Sequence, residues 1–537
     1  MKKVVLALLV VLAVGALILN GCTQETSTGS STPSGTTPSA TTQTPATSEP
    51  SKYGGILKLA EGIPQDFPIG DPFNIFGPFS FHASIVIERL FLPSTTTPGS
   101  YVNVLATGYK LAPDKSYYDI SLRQGVTFHD GTPFNAAAAK WNLDRVLAAT
   151  VPELRSVKSI DAVDDYTIKL NLSSWTNQII NDLSHDLTSM ISPTAFQKNG
   201  VEWASTHPIG TGPFIFNEAK SSPTISFYDR NPNYWQKGRP YLDGVENHFI
   251  ADQTAMQAAL LSGEIDGCWS APKEVQLALK NDPNYRTWVE DGEFIRVLYM
   301  NTTDPSSVWH DQRMRQALEY AVDKEPVIQN VGIPYSEARY NIIKGLEVVT
   351  QENITPRKYD PAKAKELMKE AGHPNGVEFK IFCSSANWRN SSGDVLTAWQ
   401  QQWAAVGFKV NLEQIDAAQE GVYSGGVMPG NDMLYYSVRG NKTNPLAVVV
   451  ENLAPNSRYF TGTTKPADWN DLMQQALTTE DVAQQLAILV KMDKAAYDSA
   501  MVIPLDTGPM VSLFSNRVHD IIVQREGYTL PDTWLSK

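Results

Sequence analysis

His129 and Asp130 stand side by side in the segment LRQGVTFHDGTPF, and an imidazole beside a carboxylate can bind a metal or transfer a proton. Adjacent residues on a β-strand point to opposite faces, so on a strand this pair cannot hold one metal ion together. Asp130 followed by Gly131 is also a turn pair, because aspartate folds back onto the backbone and glycine tolerates a positive φ. The segment therefore predicts a strand–turn–helix corner, with Asn135 as the N-cap of the helix AAAAKWNLDR.

The other candidate motifs also favour a scaffold over a reaction centre. IGTGPF, residues 209–214, has the glycines of a phosphate cradle, but a strand follows it, so we interpret it as a tight turn. The body has no GxSxG elbow, no GxxxxGK[ST] loop and no zinc-type cysteine–histidine spacing. Cys268 and Cys383 lie far apart in the sequence, which leaves a disulfide between them open and excludes a disulfide-stapled fold. We predict no catalytic residue, no metal and no cofactor, with a lipoprotein hydrolase as a minor alternative.

The N-terminus has the composition of a secretion signal. Lys2 and Lys3 precede an uninterrupted apolar run over residues 4–19, which is shorter than the roughly 20 residues that a transmembrane helix needs. The ending LNGC resembles a lipoprotein signal, in which the cysteine becomes the lipidated first residue of the mature chain. We predict a signal over residues 1–22 and a lipid on Cys22, with an uncleaved anchor helix as the alternative.

A segment rich in Ser, Thr, Pro and Gly follows over residues 23–52. It has almost no apolar residues to bury, so burial cannot offset the entropy lost on ordering, and we predict a disordered tether. The composition turns globular at about residue 53. The formal net charge of the whole chain is −13, which argues against a nucleic-acid partner and against broad contact with anionic lipid.

The globular part, roughly 485 residues, is too long for one compact core. Apolar strands such as GGILKLAEG and TIKLNLS alternate with amphipathic helices such as AAAAKWNLDRVLAA and QTAMQAALLSGEID. The second half repeats this order: we predict helices over QRMRQALEYAVDKEPVIQNV, PAKAKELMKEAG and SGDVLTAWQQQWAAVG, and strands over VEFKIFC and FKVNLEQI. Strand–helix–strand units in both halves predict an α/β protein with two lobes.

Seven landmarks follow one another along this body. They are YGGILKLA; LAPDKSYYDISLRQGVTFHDGTPFNAAAAKWNLDR; IGTGPFIF; NPNYW with LDGVENHFI; GEID; MNTTDPSSVWHDQRMRQALEYAVDK; and YDPAKAKELMKEAG. Each is weak alone, but in this order they resemble the solute-binding proteins of ATP-driven importers for oligopeptides, dipeptides and nickel complexes (extracellular solute-binding protein family 5). The resemblance covers nearly the whole body.

The resemblance implies a two-lobed α/β fold of the type II periplasmic-binding-protein kind, with an extra subdomain on the first lobe. The chain would cross between the lobes near EFIRVLYMNTT and return near AMVIPLDTG, so that two crossing strands form the hinge. This predicts lobe I over residues 53–297, lobe II over residues 298–504 and a return to lobe I over residues 505–537. Such a hinge permits closure and resists shear, and ligand binding would shift the balance between open and closed forms.

The resemblance also places ligand-facing positions of lobe II in YYSVRGNKTNPL. Asn441 stands where dipeptide binders carry the aspartate that pairs with a ligand ammonium, and Leu446 stands where nickel-complex binders carry a histidine. If Arg439 faces the cleft, its guanidinium would suit a carboxylate or another oxyanion; solvation of these loop cations is the alternative. The candidate ligand contacts in this segment are Tyr435, Tyr436, Arg439, Asn441 and Lys442.

Two more segments provide candidates. Trp269, directly after GEIDGC, lies where the resemblance brings lobe I to the cleft. Its indole would stack there on a peptide plane or a sugar ring, with burial inside the lobe as the alternative. Trp388 and Arg389 begin a helix of lobe II near the same mouth.

We therefore expect the extracytoplasmic, lipid-anchored substrate-binding subunit of an ABC importer, working as a monomer with a membrane permease and its ATPase. The expected ligand is an oligopeptide. A saccharide, a metal chelate and a small organic anion are alternative ligands, and a sensory binding protein that presents its ligand to a membrane receptor is an alternative function.

Overall fold

The computed structural model describes most of the globular body. The described residues are 52–62, 69–74, 79–95, 97, 99–149, 151, 153–343, 354–385, 392–439, 444–455, 457, 459–524 and 527–537. The predicted signal, Cys22 and almost all of the predicted tether lie outside them, and so do Trp388, Arg389, Asn441 and Lys442.

Strands and helices alternate along the described chain. The strands are β1 (Ile56–Glu61), β2 (Phe91–Pro93), β3 (Tyr101–Asn103), β4 (Ala106–Leu111), β5 (Tyr117–Leu122), β6 (Val157–Asp164), β7 (Thr167–Leu172), β8 (Phe214–Phe216), β9 (Ile225–Arg230), β10 (Gly244–Phe249), β11 (Gly267–Cys268), β12 (Tyr285–Met300), β13 (Val377–Ser384), β14 (Phe408–Ile415), β15 (Met433–Arg439), β16 (Ile503–Ser515), β17 (Val518–His519), β18 (Ile522–Gln524), β19 (Gly527–Thr529) and β20 (Trp534–Leu535). The helices are α1 (Phe79–Val86), α2 (Ala136–Ala148), α3 (Ile179–Asp182), α4 (Pro193–Asn199), α5 (Val201–Thr206), α6 (Gln253–Ser262), α7 (Lys273–Leu279), α8 (Gln312–Tyr320), α9 (Lys324–Val331), α10 (Pro361–Glu370), α11 (Gly393–Val406), α12 (Ala417–Gly425), α13 (Pro445–Leu453), α14 (Trp469–Thr478) and α15 (Val482–Asp498).

Two long strands run through both halves of the main sheet. The strand order is β14-β13-β15-β12-β16-β11-β1-β10-β9-β8, and β12 and β16 lie at its centre. In its first part β12 pairs only with β16, and in its last part it also pairs with β15. The start of β16 belongs to the half that contains β15, and its end pairs with β11 in the other half. This confirms the predicted fold, in which two strands cross between two α/β lobes.

The predicted lobe boundaries fall inside these two strands. Residue 297 lies within β12 and residue 505 lies within β16. The boundaries themselves stay predictions, because a strand shared by two lobes has no single residue at which one lobe ends.

The parallel strands of both lobes end at the same stretch of β12 and β16. In lobe I, β1 runs parallel to β10 and β11, and β11 pairs with β16 through Cys268 and Leu513. In lobe II, β13 runs parallel to β14 and β15, and β15 reaches β12 where Arg439 pairs with Phe294. Phe294 in turn pairs with Gly508 of β16. Ligands of α/β proteins bind at the carboxyl ends of parallel strands, so we expect the ligand cleft at this convergence.

The extra subdomain forms around a four-stranded sheet with the order β4-β5-β7-β6, which packs against α2. Helix α2 begins where predicted, because the side chain of Asn135 accepts a hydrogen bond from the Ala138 backbone N–H. Its buried face, including Ala139, Leu143 and Val146, joins one apolar core with the strands. The predicted AAAAKWNLDR helix and its N-cap are confirmed.

The long helix predicted over QRMRQALEYAVDKEPVIQNV is wrong in one respect: the structure has two helices there, α8 and α9. The reason is Pro326, which has no N–H to donate and clashes with the preceding turn when it lies inside a helix. Proline is tolerated in a first turn, and it is the third residue of α9. The chain therefore restarts a helix at Lys324.

Large apolar side chains hold lobe II together. Trp309, Trp399 and Trp403 are fully buried in one core, and the Trp403 indole N–H donates to the Leu318 carbonyl oxygen at 3.0 Å. Cys383 lies in the same core, whereas Cys268 is buried in lobe I, and both thiols are free. Burial raises the pKa of each thiol to about 12. The disulfide that the sequence left open is therefore not formed.

Candidate ligand-binding cleft

The His129–Asp130 pair is part of the scaffold, as predicted. Asp130 accepts hydrogen bonds from the Thr132 backbone N–H at 3.0 Å, from the Thr132 hydroxyl at 2.6 Å and from the Ser192 hydroxyl at 2.5 Å. Gly131 has a φ of +81°, the conformation that makes glycine suitable for this turn. The His129 Nε2–H donates to the Gly212 carbonyl oxygen at 3.0 Å. Burial lowers the pKa of His129 to about 4, so the ring is neutral at physiological pH.

The cleft begins where the parallel strands end. In lobe I these ends are Glu61 of β1 and Cys268 of β11, which is followed by Trp269. In lobe II they are Ser384 of β13 and Arg439 of β15. Segments 63–68, 386–391 and 440–443, which follow three of these strand ends in sequence, lie outside the described residues. The four strand ends themselves lie in one region between the lobes.

A buried ion pair lies beside this region. Arg296 of β12 and Asp506 of β16 are directly opposite each other, with 2.6 Å between Nη2 and Oδ2. Their side chains are 4% and 0% exposed, so the pair is shielded from water. Arg296 also donates to the Ser392 hydroxyl at 2.8 Å and to the Thr507 carbonyl oxygen at 2.6 Å. Burial raises the pKa of Asp506, and the charge of Arg296 opposes that rise.

Tyr435 belongs to the same cluster. Its ring is fully buried, and its hydroxyl donates to Asp506 Oδ1 at 3.0 Å. Burial raises the pKa of the phenol well above its usual value, so it stays protonated and remains a donor. The Tyr435 hydroxyl is thus hydrogen-bonded to the acidic member of the ion pair. A direct contact of Tyr435 with ligand stays a prediction.

The next residue, Tyr436, points to the other face of β15, as strand geometry requires. Its half-buried ring lies 5.6 Å from the ring of Phe460 and 6.0 Å from that of Tyr459, measured between centroids. These rings belong to or pack against the second apolar core of lobe II. A role of Tyr436 in ligand binding also stays a prediction.

Trp269 is placed at the predicted strand end but lies mostly inside lobe I. It is 7% exposed and belongs to the core that contains Met510 and Phe514. Its backbone N–H donates to the Ala60 carbonyl oxygen at 3.1 Å, which extends the pairing of β11 with β1. Of the two alternatives for Trp269, burial within the lobe therefore describes this structure.

Arg439 is the last residue of β15, and its backbone pairs with Phe294 of β12. Asn441 and Lys442 follow within the next three residues, and Trp388 and Arg389 precede α11. These four candidates lie outside the described residues, so their contacts stay predictions.

A second buried polar cluster lies at the end of β1, and none of its residues was predicted from the sequence. Asn247 of β10 donates to Glu61 Oε1 at 2.9 Å, and His82 Nε2 is hydrogen-bonded to the same oxygen. Glu61 is 3% exposed and His82 is 6% exposed. Burial raises the pKa of Glu61 to about 8 and lowers that of His82 to about 4. Both groups are therefore held in their neutral forms near pH 7.

One sequence signal could have identified these residues. Arg296 lies within EFIRVLYM, Asp506 within MVIPLD and Glu61 directly after ILKLA, so each is a charge in or at the end of an apolar strand. Charged residues are almost never fully buried without a partner, and a single charge in a core strand predicts a buried counterpart.

Comparison with known proteins gives the family. Residues 100–444 match the bacterial extracellular solute-binding proteins, family 5 (middle part). The glutathione-binding protein GsiB of Shigella dysenteriae serotype 1 (strain Sd197) is 29% identical over 449 residues, which span 81% of this chain and 85% of that protein.

Solved structures share the fold. DppA from Helicobacter pylori, an ABC transporter-associated periplasmic binding protein in complex with the peptide STSA, superposes with a TM-score of 0.76 at 23% identity, over 91% of this chain and 99% of that one. NikA from Brucella suis in complex with Fe(III)-EDTA superposes with a TM-score of 0.75 at 22% identity, over 89% of this chain and 100% of that one.

Among the described residues, no helix combines the length and the apolar composition that crossing a bilayer requires. The matched family is one of extracellular solute-binding proteins, and DppA is a periplasmic binding protein. The match over residues 100–444 shows that this chain belongs to bacterial extracellular solute-binding protein family 5, the substrate-binding class of ABC importers.

Proposed function

We propose that this protein captures a short peptide or a peptide-like solute such as glutathione between its lobes and delivers it to an ABC permease. The observation that carries the proposal is the convergence of parallel strand ends from both lobes on β12 and β16. Similarity to a glutathione-binding protein and to a peptide-bound structure supports this ligand class.

The contacts we propose come from the segments that follow the strand ends. Arg439 would bind a ligand carboxylate through a two-pronged hydrogen bond, and Lys442 would add a second positive charge. Asn441 replaces the aspartate expected for ammonium recognition, so the ligand amine would be bound by a neutral oxygen or left in water. Trp388, Arg389 and Tyr436 would complete the wall of lobe II.

We propose that the Arg296–Asp506 ion pair holds the floor of the cleft and does not contact ligand directly. Arg296 and Asp506 satisfy each other, and Tyr435 donates to Asp506. Because the buried charges are paired, the two crossing strands can pass through the interlobe region without an unsatisfied charge.

Leu446 favours a peptide over a nickel complex. It stands where the resemblance places the histidine of nickel-complex binders, and it is fully buried in the core of lobe II. An apolar side chain at this position supplies no metal ligand. A metal chelate, such as the Fe(III)-EDTA bound to NikA, is therefore a weaker candidate ligand than a peptide.

We further propose that the protein is a monomeric, non-enzymatic lipoprotein. Cys22 would carry the lipid that holds it at the outer face of the cytoplasmic membrane, and residues 23–52 would act as the tether. More than one acyl chain would be needed for stable anchoring, because a single chain binds membranes only reversibly.

Native mass spectrometry of protein purified without refolding tests the proposed ligand class. The expected result is a retained mass whose fragmentation gives an amino-acid sequence, together with saturable binding of glutathione or of Ser-Thr-Ser-Ala by calorimetry. A retained saccharide or metal chelate, or binding of Fe(III)-EDTA alone, would contradict the peptide class. Turnover of model esters or peptides by the pure protein would contradict the non-enzymatic assignment.

A further inference from the structure

The extra subdomain of lobe I contacts lobe II through a short segment that makes several hydrogen bonds. Asn177 and Gln178 lie between β7 and α3, and Ile179 and Ile180 of α3 are anchored in the subdomain core. On the other side, α14 belongs to the second apolar core of lobe II through Trp469, Leu472 and Met473. The two segments are far apart in sequence, so their contact depends on how the lobes are arranged.

Asn177 acts as a cap for a helix of the opposite lobe. Its backbone N–H donates to the Leu477 carbonyl oxygen at 2.9 Å. Its side-chain amide donates to the carbonyl oxygens of Ala476 and Thr479, each at 2.8 Å. The last four carbonyls of a helix have no partner within the helix, and those of Ala476 and Leu477 are among them in α14. One residue of lobe I therefore donates to two of the last four carbonyls of a helix in lobe II and to the carbonyl of Thr479 just after it.

Gln178 extends the hydrogen bonds of Asn177 toward the start of α13. It is 5% exposed, and its amide N–H donates to Asn177 Oδ1 at 2.8 Å. The side-chain oxygen Oε1 of Gln178 accepts a hydrogen bond from the Asn444 side-chain amide at 2.8 Å. Asn444 is the N-cap of α13 and directly follows residues 440–443. Gln178 thus connects the helix cap at Asn177 to the N-cap of α13.

We propose that Asn177 and Gln178 are positioning residues that hold the two lobes together by linking the C-terminal end of α14 to the N-terminal end of α13. When the lobes separate, the carbonyl oxygens at the end of α14 lose the donors that Asn177 supplies, and Asn444 loses its acceptor in lobe I. When the lobes meet, one continuous chain of hydrogen bonds runs from α14 through Asn177 and Gln178 to Asn444.

A nearby interlobe contact provides the matched control. Lys115 of the subdomain forms an ion pair with Glu480, two residues after the end of α14, but the two side chains are 38% and 64% exposed. Exposed ion pairs contribute little because water and salt screen them. We call the hydrogen-bonded contact of Asn177 and Gln178 with lobe II the latch. Lys115→Ala removes an interlobe contact close to the latch without removing a buried hydrogen bond, and it is therefore the control.

Hydrogen–deuterium exchange of the detergent-solubilised full chain, without ligand, tests the latch. Asn177→Asp keeps the size and the backbone donor but replaces the side-chain N–H groups with a carboxylate that the carbonyl end of a helix repels. We expect peptides covering 174–182 and 474–481 to exchange about tenfold faster than in the wild type, the factor expected for loss of one net hydrogen bond. Lys115→Ala should change these rates by less than about twofold.

The coupling is tested by Gln178→Ala and Asn444→Asp in the same experiment. Asn444→Asp keeps the oxygen that caps Ala447 but cannot donate to Gln178. Each variant should accelerate exchange in peptides covering 444–453, the N-cap and body of α13, and the double variant should do no more than either single one. Additive effects in the double variant would show that the two residues act independently and would overturn the coupling.

Two results would overturn the latch itself. One is an unchanged exchange rate in Asn177→Asp; the other is a uniform acceleration that includes α11, which lies in the core of lobe II and should not respond to a local contact. Binding of glutathione and of Ser-Thr-Ser-Ala, measured on the same variants, separates this proposal from the proposed function. If neither binds while Asn177→Asp still loses local protection, the ligand class is wrong and the latch stands.

Discussion

Arg296 and Asp506 are cross-strand neighbours on the two strands that connect the lobes, and they form an ion pair shielded from water. Burying either charge alone would be strongly unfavourable, so each residue offsets part of the desolvation free energy of the other. The pair therefore ties β12 to β16 where lobe II begins.

Arg296→Met should lower the free energy of unfolding by about 3–5 kcal/mol, because it leaves Asp506 buried without its counter-charge. Urea unfolding followed by tryptophan fluorescence measures the change. Lys494→Ala, which breaks the exposed pair with Asp498, is the control and should cost less than about 1 kcal/mol. A loss for Arg296→Met as small as that of the control would show that the pair does not stabilise the interlobe strands.

Arg439→Ala should weaken binding of a carboxylate-bearing ligand by about 1–3 kcal/mol, as expected for loss of a charged hydrogen bond. Isothermal titration with a free peptide and with the same peptide amidated at its C-terminus measures the effect. The amidated peptide should lose little affinity on mutation, because it offers no carboxylate to the guanidinium. Equal losses for both peptides would assign Arg439 a structural role.

The stability of the protein should decrease between pH 6.5 and pH 8, and Glu61 should account for part of that decrease. Its folded pKa is raised by burial from 4.5 to about 8, so in this range the native state retains a proton that the unfolded state has lost, and stability falls as pH rises. The pKa of His82 is lowered by burial from 6.5 to about 4, so His82 acts in the opposite direction, but its effect fades as the pH rises above 6.5 because the unfolded-state ring then loses its proton as well.

Glu61→Gln removes this titration while keeping a hydrogen-bonding group. Relative to the variant, the wild type should lose up to about 2 kcal/mol of unfolding free energy across the range. Parallel pH dependences for the two proteins would show that Glu61 does not titrate there. Other buried carboxyl groups contribute equally to both proteins, so the difference isolates Glu61.

Cys22→Ser should release the protein from cells into the medium or the periplasm, because the predicted lipid can no longer be attached. Fractionation of membranes and supernatant, with immunoblotting, measures the distribution. Ser27→Ala, in the predicted tether, is the control and should stay in the membrane fraction. Membrane-bound, unprocessed Cys22→Ser protein would favour the uncleaved anchor helix.

The fold could be predicted from the sequence because its signals are local. The periodicity of β1 and β7, the Asn135 cap and the order of the motifs each depend on a few neighbouring residues. The break between α8 and α9 was missed although Pro326 marks it, because the apolar spacing continues across the break.

The cleft was harder to predict because its contacts are not local. Arg296 meets Asp506 only after β12 pairs with β16, and Asn177 reaches α14 only when the lobes come together. Tyr435 and Trp269 were predicted as aromatic residues near the cleft. Both side chains are buried, because the local backbone directs them into the lobes. Side-chain direction within a strand depends on register, which a motif match does not fix.

The two buried thiols make the protein well suited to site-specific labelling. Cys268 and Cys383 are enclosed in different lobes, and their raised pKa keeps them unreactive toward maleimides at neutral pH. The chain has 3 cysteines in all, so in Cys22→Ser a cysteine introduced on the surface of each lobe would be the reactive site. A fluorophore pair at such positions would convert lobe movement into an optical signal in the folded protein.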